Sequence, residues 1–211
     1  VIGVRGQGRT HVAAYRDLPD AEVVALCDPD EGVVGPAAKA VPDAKYVKDF
    51  RAVLDDPNVD AVSIATPNHW HALAAVWALQ AGKHVYVEKP LSHDLHEGRM
   101  LVNAARRFKR VVQHGTQARS HGACQQAIAW MQGGGLGEVR VATGLCYKQR
   151  DSIGKTSGPQ KPPETCDYEL WTGPAAMEPL RRTSLHYDWH WAFNTGNGDI
   201  GNQGVHQIDL A

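Results

Sequence analysis

Apolar and polar residues alternate over roughly the first 115 residues in a strand–helix order. Apolar, β-branched runs predict six strands, at Val1–Val4, Glu22–Cys27, Ala44–Val47, Asp60–Ala65, His84–Val87 and Val111–His114. The stretches between them predict helices at Thr10–Leu18, Asp30–Val41, Phe50–Leu54, His71–Ala81 and Leu95–Phe108. Asn68 or Thr66 is predicted to cap the fourth helix. Strands that alternate with helices indicate an α/β fold with a parallel, doubly wound sheet.

The alternation stops after His114. A loop over 115–120 leads to a predicted helix at Cys124–Gln132, which ends at three consecutive glycines. The segment Val139–Tyr147 alternates well enough to predict a strand of a second sheet, and 148–163 has the composition of a loop. The change of pattern predicts two domains, residues 1–118 and residues 119–211.

Composition excludes several classes of partner. The chain has 211 residues, with 22 Lys and Arg against 23 Asp and Glu, so its net charge is −1. This balance gives no electrostatic reason to expect nucleic acid or an anionic membrane as a partner. No apolar run approaches the ~20 residues needed to span a bilayer. The four cysteines lie far apart without a C-x-x-C, which indicates reduced thiols rather than a disulfide framework.

Both ends of the chain interrupt an element. The chain begins at Val1 inside an apolar run and stops at Ala211 with no capping residue or closing glycine. We therefore expect a fragment of a longer protein, in which the second domain is incomplete.

A glycine-rich turn follows the first predicted strand. Gly6 and Gly8 supply the G-x-G of a dinucleotide fingerprint, in which glycines let the backbone approach a pyrophosphate at a helix N-terminus. His11 stands where the third glycine of G-x-G-x-x-G is expected, so a turn without function is the alternative. Asp28 ends the second strand twenty residues after Gly8, where an acidic side chain binds ribose hydroxyls and repels a 2′-phosphate. This pair favours NAD over NADP.

A lysine ends the strand at His84–Val87. In G-K-H-V-Y-V-E-K-P-L-S, Pro90 removes a backbone donor and holds Lys89 out of the helical region. A lysine at the carboxyl end of a buried strand points into the crevice where open α/β sheets bind ligands. It is suited to donate a hydrogen bond to a substrate oxygen. A surface Glu–Lys pair before a turn is the alternative interpretation.

The last motif is a glycine-rich loop that leads into a helix, G-N-G-D-I-G-N-Q-G-V-H-Q-I-D at 196–209. His206 and Asp209 are three residues apart and therefore share one helix face. A histidine of ordinary pKa near neutrality is a candidate general base, although a surface histidine has the same pattern.

These motifs occur in the order of a known family. The G-x-G turn, the Asp that ends strand two, A-T-P-N-H-W-H at 65–71, G-K-H-V-Y-V-E-K-P-L at 82–91 and G-N-Q-G-V-H-Q-I-D at 201–209 together resemble the glucose–fructose oxidoreductase / inositol dehydrogenase (Gfo/Idh/MocA) family. W-T-G-P and G-N-Q-G-V-H-Q resemble a bacterial subgroup of it. The resemblance implies an NAD(P)-binding Rossmann domain over 1–118 and the start of an α+β substrate and oligomerisation domain over 119–211.

The resemblance also implies roles for single residues. The cofactor NAD is expected to contact Gly6, Gly8, Arg9, Asp28, Thr66, Pro67, Asn68, His71, Glu88, Lys89 and Gln117. The reaction is expected to involve Lys89, Asn202, His206 and Asp209. Arg119 falls with Gln117 in the loop that borders nicotinamide and substrate, and the bond from Lys89 to Pro90 is often cis.

One position departs from the family. Many sugar dehydrogenases of the family carry an aspartate four residues before the histidine, where this chain has Asn202. Asparagine orients a hydroxyl or an imidazole but takes no proton at neutral pH. Acid–base chemistry is therefore expected to fall on His206 and Lys89.

The predicted function is NAD-dependent hydride transfer at a hydroxyl of a sugar, polyol or glycoside. Partners are expected to be a small carbohydrate and, at full length, further copies of the chain. Trp171, Tyr187, Trp189 and Trp191 are candidates for stacking on sugar faces, although core packing is the commoner use of such residues.

Three other functions stay open. The first is a glycoside hydrolase or lyase in which bound NAD oxidises a sugar transiently and is regenerated. The second is a non-catalytic nucleotide-binding module. The third is a zinc site on His186 and His190, with His69 and His71 or His93 and His96 as further ligands, but no H-E-x-x-H is present and no metal is predicted.

Overall fold

A computed structural model describes residues 1–211. Its sheet has five strands, β1 (Ala25–Cys27), β2 (Lys45–Val47), β3 (Ala61–Ile64), β4 (His84–Val87) and β5 (Val112–His114). β1 pairs with β2, and β3, β4 and β5 pair in that order, all in parallel register. Ile2 bridges the two groups because it pairs with Cys27 on one side and Ile64 on the other. The predicted doubly wound parallel sheet is confirmed.

Seventeen elements in all are ordered along the chain, and eight of them are α-helices. They are α1 (Gln7–Arg16), α2 (Gly35–Ala40), α3 (Arg51–Leu54), α4 (Asn68–Gln80), α5 (Leu95–Phe108), α6 (Gly122–Gln132), α7 (Tyr168–Thr172) and α8 (Val205–Leu210). One turn of π-helix, Ile200–Gly204, leads into α8. No helix is long and apolar enough to cross a membrane.

The first predicted strand is shorter than expected. Ile2 donates its amide to the Ser63 carbonyl at 2.8 Å, and the next amide, that of Gly3, donates to the Cys27 carbonyl at 2.7 Å. Gly3 then adopts φ +80°, a left-handed conformation that ends the extended backbone. The chain therefore enters the sheet only as a bridge between β1 and β3.

The predicted cap of α4 is wrong. The helix begins at Asn68, three residues earlier than predicted, and no side chain caps it. Asn68 instead donates its side-chain amide to Asn197 Oδ1 at 2.8 Å, and Thr66 Oγ1 has no hydrogen-bond partner. A contact with a residue 129 positions away replaces the local one. No pattern within the helix indicates such a contact.

The main core lies between the sheet and helices α4 and α5. Alanines on α4, among them Ala74, Ala75 and Ala78, are fully buried and let the helix approach the sheet closely. Leu101 of α5 and Ile64 of β3 belong to the same cluster. This packing fixes the carboxyl ends of β3 and β4, which carry the predicted site residues.

The predicted strand at Val139–Tyr147 is wrong. This segment forms no strand and no backbone hydrogen bond, and its side chains are exposed, with Val141 at 80% and Tyr147 at 90%. Alternation of apolar and polar residues makes a strand only where another strand offers its amides and carbonyls. None of the five strands pairs with this segment.

Candidate active site

One large cavity, of about 630 Å³, lies at the carboxyl ends of the parallel strands. Its volume falls within the range typical of ligand sites. Eleven of the predicted site residues line it, namely Gly6, Asp28, Thr66, Pro67, Asn68, His71, Glu88, Lys89, Gln117, Asn202 and His206. Gly8, Arg9 and Asp209 do not line it. Predicted site residues up to 200 positions apart in sequence, Gly6 and His206, thus share one cavity.

The N-terminus of α1 opens into this cavity. Gly6 precedes the helix with φ +58°, and no side chain caps the first turn. Nothing lies within 4 Å of a Cβ placed on Gly6, so the space beside the free helix amides is open. Free amides at a helix N-terminus bind anions such as a pyrophosphate.

Gly8 packs against the backbone of Gly3 and does not line the cavity, where the sequence predicted it. A Cβ at Gly8 would lie 1.8 Å from the Gly3 carbonyl oxygen, so only glycine lets α1 pack this closely on the first strand. Close packing of helix on strand is the role of the third glycine of the fingerprint. The fingerprint therefore runs from Gly3 to Gly8, with Arg5 at the second glycine position, and Arg9 is exposed outside the cavity.

Asp28 follows β1 directly and is buried. Its Oδ2 accepts the Val4 amide at 3.0 Å and its Oδ1 accepts the Asp30 amide at 3.1 Å. Burial raises the pKa of this carboxyl, against the effect of both amides. Two backbone bonds fix the direction in which the carboxyl faces the cavity, as a ribose-binding acid requires.

Glu88 is the centre of a buried hydrogen-bond network at the end of β4. Its Oε1 accepts Nε2 of His11 at 3.0 Å and the side-chain amide of Gln117 at 2.7 Å, and its Oε2 accepts the Lys89 amide at 3.1 Å. Burial alone would raise the pKa of Glu88, but the hydrogen bonds from His11 and Lys89 hold it below its ordinary value. The carboxylate is thus held charged inside the protein.

Lys89 reaches from the end of β4 to the last motif of the chain. Its ammonium donates to the Asn202 carbonyl at 2.6 Å and lies 3.5 Å from Asn202 Oδ1. Burial lowers the pKa of Lys89, and the positive charges of Arg150 and Lys148 lower it further, while Glu88 opposes them. The peptide bond between Lys89 and Pro90 is cis, as the resemblance implies.

His206 and Asp209 share a face of α8 but differ in their contacts. His206 lines the cavity, and burial together with the nearby charge of Lys89 lowers its pKa. Asp209 points away and accepts both Arg119 Nε and the terminal guanidinium nitrogen, at 2.9 and 2.8 Å. The structure therefore brings His206, but neither Asp209 nor Arg119, to the cavity.

His71 joins the two loops that end β3 and β4. Its Nδ1 lies 2.6 Å from the Pro90 carbonyl oxygen and its Nε2 lies 2.8 Å from the Thr66 carbonyl oxygen. The ring is fully buried, and burial lowers its pKa. His71 thus fixes the positions of the Thr66–Pro67 loop and of Pro90 on either side of the cavity.

A segment of the second domain closes the cavity on the side opposite the strands. We name residues 165–195 the strap. Near β1, the carboxylate of Asp30 accepts the Thr165 hydroxyl and lies 2.7 Å from His186 Nε2. The Asp167 amide donates to the Pro29 carbonyl at 2.9 Å. These bonds hold the strap beside Asp28.

A second set of contacts holds the strap on α4. Trp70 Nε1 donates to the Trp171 carbonyl at 3.1 Å, and the ring nitrogens of His69 lie 3.1 and 3.2 Å from the carbonyl oxygens of Trp171 and Thr195. Between the two attachments, strap residues line the cavity, among them Glu169, Leu170, Trp171, Gly173, His186, Tyr187, Trp189 and His190.

The sequence analysis missed two features of the site. His11 contacts Glu88, although only its place at a glycine position drew attention to it. The strap lies beside Asp28, although its aromatic residues predicted only sugar stacking or core packing. Of the histidines considered as zinc ligands, His186 contacts Asp30, and no three His, Cys, Asp or Glu side chains converge in a metal-binding arrangement.

Comparison with known proteins fits this geometry. Residues 1–116 match the model of an oxidoreductase family with an NAD-binding Rossmann fold, and residues 127–211 match that family's C-terminal alpha/beta domain. The chain is 30% identical over 149 residues to a levoglucosan dehydrogenase of Pseudarthrobacter phenanthrenivorans, an alignment that covers 66% of this chain and 38% of that protein. It is 31% identical over 118 residues to an alpha-N-acetylgalactosaminidase of Shewanella oneidensis, covering 52% and 26%.

Among solved structures, an NAD-binding protein from Listeria innocua superposes with a TM-score of 0.59 at 30% identity, over 65% of this chain and 39% of that one. The chain thus spans well under half the length of the proteins it matches. Its glycine turn, its strand-end aspartate and its two matched domains make the chain a member of the Gfo/Idh/MocA oxidoreductase family, with an NAD-binding Rossmann domain at its N-terminus.

Proposed function

We propose that the protein transfers a hydride between a hydroxyl-bearing carbon of a sugar, polyol or glycoside and NAD. The observation that carries this proposal is that Lys89, Asn202 and His206 line the same cavity as Gly6 and Asp28. The levoglucosan dehydrogenase among the relatives supports a carbohydrate substrate. Residues 1–118 are proposed as the cofactor domain and 119–211 as part of the substrate and oligomerisation domain.

The proposed cofactor site runs along the strand ends. Gly6 and the first amides of α1 bind the pyrophosphate, and Asp28 accepts the hydroxyls of the adenosine ribose. Thr66, Pro67 and Asn68 form the wall of the channel beyond β3, while His71 fixes that wall from behind. Glu88, Lys89 and Gln117 border the nicotinamide. When bound, the nicotinamide accepts the hydride that leaves the substrate carbon.

The chain supplies the proton chemistry. Lys89 donates a hydrogen bond to the reacting oxygen and stabilises the negative charge that develops there, while Asn202 orients the ammonium through its carbonyl. His206 accepts the hydroxyl proton as the alcohol becomes a ketone. Because burial and Lys89 lower the pKa of His206, the imidazole is neutral near pH 7 and ready to accept that proton. Asp209 takes no part in this step, since Arg119 binds it outside the cavity.

Steady-state assays of the complete gene product test this proposal. Sugars, polyols and glycosides are supplied with NAD while the absorbance of reduced nicotinamide is followed. We expect net reduction with at least one of them, and a loss of about a hundredfold to a thousandfold in kcat for Lys89→Met, since removal of one such donor costs ~2.7–4 kcal/mol. The control Lys45→Met removes an exposed lysine outside the cavity and leaves kcat unchanged. Equal rates for both variants would contradict the role of Lys89.

A second candidate is redox-assisted glycoside cleavage with NAD retained throughout. The strap favours it, because attachments at Asp30 and at α4 enclose the groove that a dinucleotide occupies. The alpha-N-acetylgalactosaminidase among the relatives supports it as well. Release of nitrophenol from nitrophenyl glycosides without net reduction of NAD distinguishes this reaction from a dehydrogenase.

A further inference from the structure

His11 is a buried imidazole to which the proposed reaction gives no role. It lies on α1, the helix whose N-terminus faces the cavity, and is 7% exposed. Its ring reaches over the sheet to two strands. Nδ1 lies 2.8 Å from Ser63 Oγ on β3, and Nε2 lies 3.0 Å from Glu88 Oε1 at the end of β4.

The partners of the ring decide the direction of each hydrogen bond. A carboxylate only accepts, so Nε2 carries the hydrogen and donates to Glu88. In the neutral ring Nδ1 then accepts from the Ser63 hydroxyl, which in turn accepts the Tyr15 hydroxyl at 3.3 Å. The chain of bonds thus runs in one direction, from Tyr15 to Glu88. The rings of Tyr86 and His11 are nearly perpendicular, with centroids 5.2 Å apart.

We propose that His11 is a positioning residue that fixes the Glu88 carboxylate beside Lys89 and so links the cofactor-binding helix to the reacting lysine. Without His11, Glu88 would keep only the Gln117 amide and the Lys89 amide as donors, and Gln117 is exposed. The inference rests on the proposed function only in taking Lys89 as the reacting group.

The charge of Glu88 reaches Lys89. It raises the pKa of Lys89 against burial and against Arg150 and Lys148. A carboxylate that turns away from Lys89 therefore favours the neutral amine, which stabilises negative charge less well. The ionisable or charged groups that face Glu88 and His11 from the surrounding elements are Tyr15, His71, Tyr86, Lys89, His114 and His206.

Two substitutions separate positioning from proton transfer through the ring. His11→Gln keeps a donor and an acceptor at about the spacing of the ring nitrogens, but its amide cannot take up or release a proton. His11→Leu removes both hydrogen bonds at similar volume. Should His11→Leu fail to fold, His11→Asn replaces it, because its shorter amide cannot reach Ser63 and Glu88 together.

The first readout is the titration of Glu88 itself, which needs no substrate. The complete gene product is labelled with ¹³C at the glutamate carboxyl, and the Glu88 resonance is identified by its loss in Glu88→Gln. We expect the same titration midpoint for wild type and His11→Gln, and a midpoint about one pH unit higher for His11→Leu or His11→Asn. An unchanged midpoint in both of the latter overturns the proposal.

The second readout is kinetic. In the assay of the proposed function we expect His11→Leu to lower kcat about tenfold with little change in KM, and His11→Gln to restore it. If His11→Gln is as slow as His11→Leu while its Glu88 titrates normally, the ring itself must transfer a proton and the positioning role is refuted. If the Glu88 midpoints shift as expected but no dehydrogenase activity is found, the proposed function is contradicted while the contact between His11 and Glu88 stands.

Discussion

Single residues set the charge at the two ends of the cavity. Asp28 places a buried carboxyl at the end that we assign to adenosine, and Glu88 and Lys89 place a carboxylate and an ammonium at the end that we assign to nicotinamide. The positions of Asp28 and Lys89 are predicted from the sequence, because both come after a strand and the carboxyl ends of parallel strands meet at one edge, whereas that of Glu88 is implied by the family resemblance. The sequence does not predict that Asn202 contacts Lys89 or that His11 contacts Glu88, since those contacts span 113 and 77 positions.

Asp28→Asn tests the preference for NAD. The amide keeps an oxygen for one backbone donor but removes the charge that repels a 2′-phosphate. We expect the ratio of the NADP Kd to the NAD Kd to fall about tenfold, ~1.4 kcal/mol, in titrations followed by calorimetry. The control Asp55→Asn changes an exposed carboxylate outside the cavity. A ratio that stays unchanged in Asp28→Asn would remove Asp28 from the ribose site.

The pH dependence of oxidation tests His206 as the base. Its pKa lies below the ordinary 6.5, so the imidazole is neutral at pH 7 and becomes protonated only at lower pH. kcat/KM for alcohol oxidation should therefore fall on the acid side with a midpoint below 6.5, the ordinary value for histidine. Lys89→Met removes one cause of the lowering, so the midpoint of its residual activity should move up. If the midpoint is unchanged in Lys89→Met but absent in His206→Gln, then His206 is the base but the charge of Lys89 does not lower its pKa.

At the scale of elements, the strap converts an open sheet edge into an enclosed cavity. Its attachments to α4 use main-chain carbonyls of Leu170, Trp171 and Thr195, which accept from side chains of that helix. Carbonyl acceptors are common to all residues, so the sequence pattern gave no sign of this docking. Helix α5, by contrast, has the predicted bounds, because Asp94 accepts the Glu97 amide and caps it locally.

Gly173→Ala tests whether the strap retains the cofactor. A Cβ there would lie 1.9 Å from the Trp70 ring, and the residue has φ +50°. We expect the strap to lift from α4, which should raise the dissociation rate of NAD at least about tenfold in stopped-flow fluorescence and speed proteolysis within 165–195. Gly158→Ala is the matched control, because nothing lies within 4 Å of its Cβ. An NAD dissociation rate equal in both variants would show that the strap does not limit release.

At the scale of the whole molecule, the two matched domains differ in how well sequence predicts them. The Rossmann domain is built from short, local strand–helix units, each with its own period, so the pattern located each of the five strands to within three residues. Strands of the second domain depend on pairing with strands distant in sequence. The alternating pattern at Val139–Tyr147 therefore predicted a strand that does not form. The sequence pattern began the glycine fingerprint at Gly6 instead of Gly3, because the close contact between Gly3 and Gly8 is seen only in the folded structure.

Hydrogen exchange on this chain tests that contrast. Amides of residues 139–147 have no backbone acceptors and should exchange at nearly unstructured rates, while those of β3 and β4 should be protected by at least about a thousandfold. Mass spectrometry of peptic fragments resolves the two regions. Protection of 139–147 comparable to β4 would mean that the segment pairs with a strand after all.

We propose that NAD binds in the cavity and accepts a hydride from a carbohydrate whose reacting oxygen is bound by Lys89. Transfer of deuterium from substrate to cofactor tests this proposal. The complete gene product is mixed with NAD and with sugars or glycosides deuterated at the carbinol carbons, and the recovered nicotinamide is analysed by mass spectrometry. We expect deuterium in the reduced cofactor for the wild type and almost none for Lys89→Met. Reduced cofactor without deuterium, or equal labelling in Lys89→Met, would contradict it.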